Sequence, residues 1–265
     1  MLLALNVNNT LIKAAVYDRP EREGPPLVHW RIATDPARTE DEYGMLLEAL
    51  FRHRGLQIRD VQHVAVACVV PLLLDTMERL SEKYFGCAPL LVGPGIRTGM
   101  RILYENPREV GADRICNAVA AYARYGGPTI VVDLGTATTF TAVSREGDFL
   151  GGAIAPGIGV SAEALVEHAA QLRRVEFVRP RSVIGRSTVA AMQAGIFWGA
   201  VGLVEGIVAR MKAELGGEAT VVATGGWAEL VLHDASCIDH HDPLLTLEGL
   251  RILYLRNRTE QLRVL

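Results

Sequence analysis

The chain contains the same short unit twice, once at its N-terminus and once near its middle. The two copies are Leu2–Asp18 and Thr129–Arg145, and they superpose without gaps so that Asn6 falls on Asp133. Each copy reads as an apolar strand, a polar turn and a second strand. An internal repeat of this kind predicts two related lobes, and polar residues at matching turns indicate a ligand cleft between them.

The pattern around each copy extends the repeat to a whole lobe. Apolar periodicity predicts the order β-β-β-α-β-α-β for the first part of the chain, and from Pro107 a similar pattern restarts with a helix and the second copy. We therefore predict an α/β fold with an N-terminal lobe over residues 1–107 and a C-terminal lobe over residues 108–265. Each lobe is expected to hold a mixed β-sheet flanked by helices.

The second turn carries chemistry that suits a nucleotide. It lies in the segment Ile130–Phe140, where an apolar strand runs into Asp133, a glycine and Thr136. An acid at a strand end supplies oxygen ligands for a cation, and a glycine lets the backbone approach a phosphate. Successive N–H groups and threonine hydroxyls can form an anion-binding concavity. The segment therefore predicts a phosphotransferase, and the alternative interpretation is an ordinary hairpin turn.

The composition argues against several other classes of protein. A net charge of −3 and a pI near 6.2 give no basic face for nucleic acid. The four cysteines form no C-x-x-C motif, so neither a zinc site nor a redox motif is expected. The N-terminus has no basic region, and no uninterrupted apolar segment reaches the roughly 20 residues that span a bilayer. We expect a soluble cytoplasmic protein without a nucleic-acid or membrane partner.

The segment Thr188–Leu215 has the period of a long helix, but its apolar residues cover more than one face. Glycines flatten one side of it, and they are Gly195, Gly199, Gly202 and Gly206. Surplus apolar surface on a soluble protein is normally buried, which predicts a symmetric homodimer through this helix. The alternative is a helix that its own lobe encloses.

The tetrapeptide Gly111–Arg114, which reads GADR, stands at the start of another helical pattern. Asp113 at this place can cap backbone N–H groups and can also reach into a cleft. The simpler interpretation is that Asp113 stabilises the helix and that Arg114 is a solvated charge.

Five segments, taken in order along the chain, resemble the signatures of the type III pantothenate kinases. They are YENPREVGADR at Tyr104–Arg114, VVDLGTATTF at Val131–Phe140, GGAIAPGI at Gly151–Ile158, IGRSTVAAMQAGIFWG at Ile184–Gly199 and ATGG at Ala223–Gly226. The resemblance implies the actin-like ATPase fold of the superfamily of sugar kinases and heat-shock ATPases, with two ribonuclease-H-like lobes. It also implies ATP-dependent phosphorylation of pantothenate to 4′-phosphopantothenate, the first step of coenzyme A biosynthesis.

The resemblance further implies roles in a substrate site. The residues that would contact pantothenate are Tyr104, Gly111, Ala112, Asp113, Arg114 and Thr188. Asp113 would be the general base that takes the proton from the primary hydroxyl of pantothenate. The guanidinium of Arg114 would suit the carboxylate or amide oxygens of pantothenate. Thr188 corresponds to a threonine that dimers of this family donate across their interface.

A nucleotide site is implied in the same way. The residues that would contact ATP are Asn6, Val7, Asn8, Asn9, Thr10, Lys13 and Thr136. Lys13 would supply positive charge to the β- or γ-phosphate, and Mg²⁺ would accompany ATP. Asp133 would bind an activating monovalent cation, K⁺ or NH₄⁺.

The chain departs from the family pattern in the first loop, which normally reads D-x-G-N-[TS]. Here Asn6 replaces the aspartate and Asn8 replaces the glycine. The loss of one charge-assisted contact near a metal costs about 1.5–3 kcal/mol. Two hypotheses follow, either an active kinase with weak ATP affinity or a catalytically impaired homologue that acts as a ligand-binding or regulatory protein. The family also includes proteins labelled Bvg accessory factors, named for a transcriptional role.

Overall fold

The computed structural model describes residues 1–169 and 172–261, and the chain divides into two compact units. The first unit consists of Met1–Met100, Glu105–Ala120 and the segment that begins at Leu245. The second unit consists of Arg101–Tyr104 and Ala121–Leu244. The predicted boundary lies after residue 107, whereas this division keeps residues 108–120 and the helix that begins at Leu245 in the first unit.

The first unit has the predicted order of strands and helices. Its elements are β1 (Leu2–Val7), β2 (Leu11–Tyr17), β3 (Val28–Ala33), α1 (Glu40–His53), β4 (His63–Cys68), α2 (Leu74–Leu80) and β5 (Leu90–Leu91). Helix α1 begins at a capping box, in which the Thr39 hydroxyl accepts from the Glu42 amide and the Glu42 carboxylate accepts from the Thr39 amide. Its buried face, with Tyr43, Leu47 and Phe51, packs into the apolar core of this unit.

The remaining elements follow a short 3₁₀ turn at Pro107–Glu109. They are α3 (Ala112–Tyr125), β6 (Thr129–Leu134), β7 (Ala137–Val143), β8 (Phe149–Pro156), α4 (Ile158–His168), α5 (Thr188–Glu214), β9 (Thr220–Thr224), α6 (Ala228–Val231), β10 (His240–His241) and α7 (Leu245–Gln261). The sequence pattern predicted neither α6 nor β10. Both are very short, and β10 is an exposed two-residue edge strand whose histidines carry no apolar signal.

The two sheets have the same topology, which confirms the internal repeat. The first sheet has the strand order β3-β2-β1-β4-β5, and the second has β8-β7-β6-β9-β10 when it is read in the same sense. In both sheets each of the first three strands is antiparallel to its neighbour, whereas the last two strands run parallel to the central strand. The same connections therefore place the two polar turns at corresponding sheet positions.

The two turns differ in length by one residue. In the first hairpin Val7 pairs with Ile12, whereas in the second Leu134 pairs with Thr138. The gap-free superposition therefore holds only as far as the turn. Beyond it the registers are offset by one residue, so that Lys13 occupies the structural position of Thr139 rather than that of Phe140.

Helix α7 packs closely against α3 within the first unit. A methyl group added at Gly249 of α7 would lie 2.1 Å from the backbone oxygen of Cys116 in α3. The Thr246 hydroxyl donates to the Asn117 amide oxygen at 2.7 Å, and both side chains are buried. Burial raises the pKa of the Cys116 thiol well above its ordinary value, and the charge of Asp113 acts in the same direction.

Substitution Gly249→Ala is expected to lower the free energy of unfolding by about 1–3 kcal/mol, because the backbones of α3 and α7 must move apart. Urea denaturation followed by circular dichroism measures this change. Gly206→Ala in α5 is the matched control, since the nearest atom to its added methyl group is a flexible arginine nitrogen at 3.6 Å. The control should be neutral or should stabilise the protein by up to about 1 kcal/mol. An equal decrease in the free energy of unfolding in both variants would contradict the assumption that close packing of α3 and α7 causes the effect.

Candidate active site

The turn between β6 and β7 is enclosed by glycines from two other segments. Asp133, at the end of β6, is partly exposed, and Thr136 in the turn is exposed. The amide of Gly157 donates to the Thr136 backbone oxygen at 3.1 Å. A methyl group at Gly157 would lie 2.2 Å from that oxygen and 2.5 Å from the Gly135 oxygen. Only glycine at the start of α4 permits this approach.

A second glycine reaches the same turn from the loop after β9. Gly225 has a φ of +100°, and an added methyl group would lie 2.6 Å from Asp133 Oδ1 and 2.5 Å from the Leu134 backbone oxygen. The Trp227 amide donates to the same Leu134 oxygen at 3.0 Å. The motifs around Asp133, Gly157 and Gly225 therefore form one cluster in the second unit, as their shared position at strand ends predicts.

The first hairpin has a different local environment. Asn6 is 1% exposed, and its side-chain oxygen has no hydrogen-bond partner among the residues that the structure describes. Asn8 is partly exposed, while Asn9 and Thr10 are exposed. Val7 is fully buried, so its side chain is not available to a ligand.

Thr34, directly after β3, supports this first turn. Its hydroxyl donates to the Asn8 backbone oxygen at 2.6 Å, and its amide donates to the Thr10 backbone oxygen at 3.0 Å. Thr34 was not among the residues that the sequence indicated. A lone threonine after a strand carries no signal that would have indicated the contact.

The GADR segment connects a capped 3₁₀ turn to α3. Asn106 caps the preceding 3₁₀ turn, and Arg114 is only 5% exposed. The Arg114 amide donates to Asp113 Oδ1 at 2.8 Å. A methyl group at Gly111 would lie 2.6 Å from the same oxygen. The carboxylate of Asp113 is therefore held in the first turn of α3.

The buried position of Arg114 differs from the simpler interpretation of the sequence, in which it was a solvated charge. Asp113 does accept a backbone amide in the first turn of α3, so the helix-stabilising interpretation holds as well. A buried guanidinium is retained where it has partners, since burial of an isolated charge is costly.

Tyr104 belongs to the second unit. Its ring stands edge-on to Phe149 with centroids 6.2 Å apart, and a methyl group at Gly151 would lie 3.6 Å from it. The ring is partly exposed. Tyr104 therefore packs on β8, and part of its surface remains exposed.

Thr188 is exposed in the first turn of α5, after the N-cap Ser187. It lines a groove of about 660 Å³ between α4 and α5. Other lining residues are mainly small or apolar, and they include Ile158, Leu165, Gly195, Gly199 and Leu203. The groove follows the glycine-rich face of α5, so this face is not enclosed by its own unit.

Comparison with known proteins decides the family. The family model described as type III pantothenate kinase matches residues 2–210. A type III pantothenate kinase from Moorella thermoacetica is 55% identical over 257 residues, which cover 97% of this chain and 100% of that relative. The chain belongs to the type III pantothenate kinase family.

Solved structures that are more distant in sequence show the same fold. A protein described as a Baf family transcriptional activator from Campylobacter jejuni has a TM-score of 0.62 at 18% identity, covering 97% of this chain and 99% of that one. The activator of 2-hydroxyisocaproyl-CoA dehydratase from Clostridium difficile has a TM-score of 0.53 at 12% identity, covering 99% of this chain and 97% of that one. The predicted fold class, two similar lobes of the actin-like ATPase type, is confirmed.

Membership of the type III pantothenate kinase family implies that ATP and cations bind. The two hairpins differ in the groups that they offer to these ligands. The second hairpin offers the carboxylate of Asp133 beside the close-packed backbone of Gly225, which suits a cation next to a phosphate. The first hairpin offers the buried amide of Asn6 and no carboxylate between residues 2 and 17. Among the described residues, no three His, Cys, Asp or Glu side chains form a metal cluster. The first hairpin therefore offers a divalent cation only neutral oxygen ligands.

Proposed function

We propose that this protein transfers the γ-phosphate of ATP to the primary hydroxyl of pantothenate, giving 4′-phosphopantothenate for coenzyme A biosynthesis. The observation that carries the proposal is the match along nearly the whole chain to a relative named type III pantothenate kinase. The geometry of the GADR loop supports it, because a helix N-terminus holds a carboxylate close to a buried arginine. The enzyme acts in the cytoplasm.

Asp113 is the general base of this reaction. It accepts the proton of the pantothenate hydroxyl as the oxygen attacks the γ-phosphorus. Its Oδ1 accepts the Arg114 amide, which fixes the orientation of the carboxylate. Because Gly111 has no side chain, Asp113 Oδ1 can occupy a position that a methyl group at residue 111 would block.

Arg114 binds pantothenate through its guanidinium, whose planar donors suit a carboxylate or amide oxygens. Gly111 and Ala112 present backbone groups beside it. Tyr104 contacts the substrate with the exposed part of its ring. Burial of Arg114 limits its rotamers, which lowers the entropy lost when the substrate binds.

Thr136 and the turn of Asn8, Asn9 and Thr10 contact the phosphates of ATP, with Lys13 as a positive charge. Asp133 binds a monovalent cation, K⁺ or NH₄⁺. Magnesium, bound with ATP, supplies charge neutralisation on the transferred phosphate. The chain's own contribution is to hold the triphosphate in line with the acceptor hydroxyl.

The groove between α4 and α5 binds a second copy of the chain, which then contributes Thr188 to the substrate site. Large apolar side chains of β8, α4 and α5 are exposed, namely Ile154, Val160, Leu165 and Val189, and Leu165 lines the groove. Helix α5 is also long and apolar enough to cross a bilayer by length and composition, and 33% of its most apolar window is buried in the chain. A helix at a subunit interface of a soluble protein has the same composition, and the glycine-rich groove favours that role.

Substitution Gly199→Glu tests the interface. It places a charge in the apolar groove, and an uncompensated buried charge costs about 3–5 kcal/mol, which raises the dimer dissociation constant by at least about 100-fold. Size-exclusion chromatography with light scattering should show a dimer for the wild type and a monomer for the variant. Arg145→Glu, on the exposed turn after β7, is the control and should remain dimeric. A monomeric wild type, or wild-type protein found only with membranes, would contradict the interface.

The altered first hairpin favours a second candidate, a homologue that binds pantothenate-like ligands without turnover. Asn6 is neutral and buried, and Asn8 adds a side chain to the turn. A coupled assay with pantothenate, millimolar ATP, Mg²⁺ and K⁺ separates the two functions, with the phosphorylated product identified by mass spectrometry. Turnover that depends on both substrates is expected. Binding of pantothenate without any product would instead support the second candidate.

A further inference from the structure

A buried hydrogen bond joins the last helix of the chain to the helix that begins in the GADR segment. The Thr246 hydroxyl of α7 donates to the Asn117 amide oxygen of α3 at 2.7 Å. The two side chains are 3% and 1% exposed, and both belong to the first unit. Two apolar side chains could fill the same space without the cost of burying polar groups. A hydrogen-bonded pair in their place fixes how the two helices are oriented.

Asn117 lies one helical turn after Asp113. Residues four positions apart lie on the same face of a helix, and helical side chains lean towards the N-terminus of the helix. Asn117 therefore extends from the face of α3 that carries Asp113. Because Thr246 donates to its amide oxygen, the Asn117 amide has a fixed orientation on this face.

A close backbone contact lies beside the hydrogen bond. Gly249 follows Thr246 by three residues, so the two residues share a face of α7. A methyl group added at Gly249 would lie 2.1 Å from the backbone oxygen of Cys116, the residue before Asn117. Burial raises the pKa of the Cys116 thiol and the charge of Asp113 raises it further, which indicates that this carboxylate lies near the contact. Helix α7 therefore supports the stretch of α3 next to Asp113.

We propose that Thr246 is a positioning residue for Asp113, because its bond to Asn117 fixes the rotation of α3 about the helix axis and so the direction of the Asp113 carboxylate. This inference rests on the proposed function, in which Asp113 is the general base. Asp113 Oδ1 accepts the Arg114 amide at 2.8 Å, so the carboxylate is fixed to α3 and moves with it. A misplacement of about 1 Å can lower a rate about 100-fold, so a contact one turn from the base affects catalysis.

Substitution Thr246→Val tests the role of the hydroxyl. Valine has nearly the shape of threonine but leaves the Asn117 oxygen without this donor. In the coupled assay kcat should fall by about 10-fold, while KM for ATP should change by less than about 2-fold. Thr246→Ser keeps the hydroxyl and loses only a methyl group, so its kcat should stay within about 3-fold of the wild type. Circular dichroism establishes that each variant is folded, and Thr246→Ala replaces the valine variant if that one does not fold.

Leu47→Val is the control for a general loss of stability. Leu47 of α1 is buried in the apolar core of the same unit. The substitution removes one buried methylene group, which destabilises a protein about as much as the loss of one hydrogen bond. Its kcat should stay within about 2-fold of the wild type, because the bond between Thr246 and Asn117 remains. Urea denaturation establishes that the stabilities of the two valine variants are comparable.

Hydrogen exchange of the Arg114 amide gives a measurement that needs no turnover. Arg114 is the third residue of α3, where a helix supplies no backbone acceptor, and its amide donates instead to Asp113 Oδ1. The exchange rate therefore reports how firmly the carboxylate is held. In Thr246→Val this amide should exchange about 5–10-fold faster than in the wild type. In Leu47→Val it should exchange at the wild-type rate, because the start of a helix exchanges through local opening. Mass spectrometry with fragmentation to single residues measures both rates.

Three results would overturn the proposal. The first is a folded Thr246→Val variant that keeps more than half of the wild-type kcat. The second is an Arg114 amide that exchanges at the wild-type rate in that variant, and the third is an equal fall of kcat in Leu47→Val. A wild-type protein without any pantothenate turnover would contradict the proposed function. The exchange rate of the Arg114 amide would then still decide whether Thr246 holds the Asp113 carboxylate in place.

Discussion

Substitution Asp113→Asn is expected to lower kcat by about 10²–10⁴, the usual contribution of a general base. Asparagine has the same shape and keeps an oxygen that can accept the Arg114 amide, so the start of α3 should remain intact. The change removes only the ability to take a proton. The coupled assay measures kcat, and KM for pantothenate should change far less because the arginine contacts remain.

Glu109→Gln is the matched control for this prediction. Glu109 is an exposed carboxylate of the same loop, and it accepts the Asn106 side-chain amide at 2.7 Å. Removing its charge should leave kcat within about 2-fold, because it is not assigned to the reaction and an exposed contact is worth little. An Asp113→Asn enzyme that keeps more than a tenth of its activity would contradict the assignment of the base. So would equal losses in both variants.

The order of strands and helices in the first unit and the repeated hairpin could be predicted from the sequence, because strands and helices differ in apolar periodicity. Apolar alternation and turn residues determine which segments become strands, and the same order occurs twice. The division into units was less predictable. Helix α7 returns to the first unit through contacts such as Gly249 with Cys116, and a glycine within a helical pattern carries no information about its distant neighbour.

The lengths of the two hairpin turns could not be predicted from the sequence. The two copies superpose without gaps, yet the second turn is one residue shorter, so cross-strand pairing after the turn is shifted. Hairpin register depends on turn geometry as well as on apolar pattern. The pairing of Asn6 with Lys13 therefore became visible only in the structure.

Only those residues of the candidate site that belong to short motifs could be named from the sequence. The chemistry of Asp113, Asp133 and Thr136 is local to short motifs, and the structure places each of them at a strand end or a helix start. The supporting contacts are not local. Thr34 and Gly157 reach the two turns from other elements, and their roles depend on tertiary distances.

Gly225 offers the sharpest test of the glycine cluster in the second unit. Its φ of +100° disfavours any L-residue side chain, and an added methyl group would lie 2.5 Å from a backbone oxygen and 2.6 Å from Asp133 Oδ1. Gly225→Ala is therefore expected to lower the free energy of unfolding by about 2–4 kcal/mol, from backbone strain and overpacking together. Whatever protein remains folded must displace Asp133 or the loop, so activation by K⁺ should be weakened as well.

The next residue provides the control within the same loop. An added methyl group at Gly226 would meet no atom within 4 Å, and its φ is not in the left-handed region. Gly226→Ala should change the free energy of unfolding by less than about 0.5 kcal/mol, as surface substitutions usually do. Thermal unfolding measures stability, and turnover at increasing K⁺ concentrations measures the cation site. If both alanine variants unfold at the same temperature and respond equally to K⁺, then Gly225 does not determine the position of Asp133, and the proposed K⁺ site at Asp133 is contradicted.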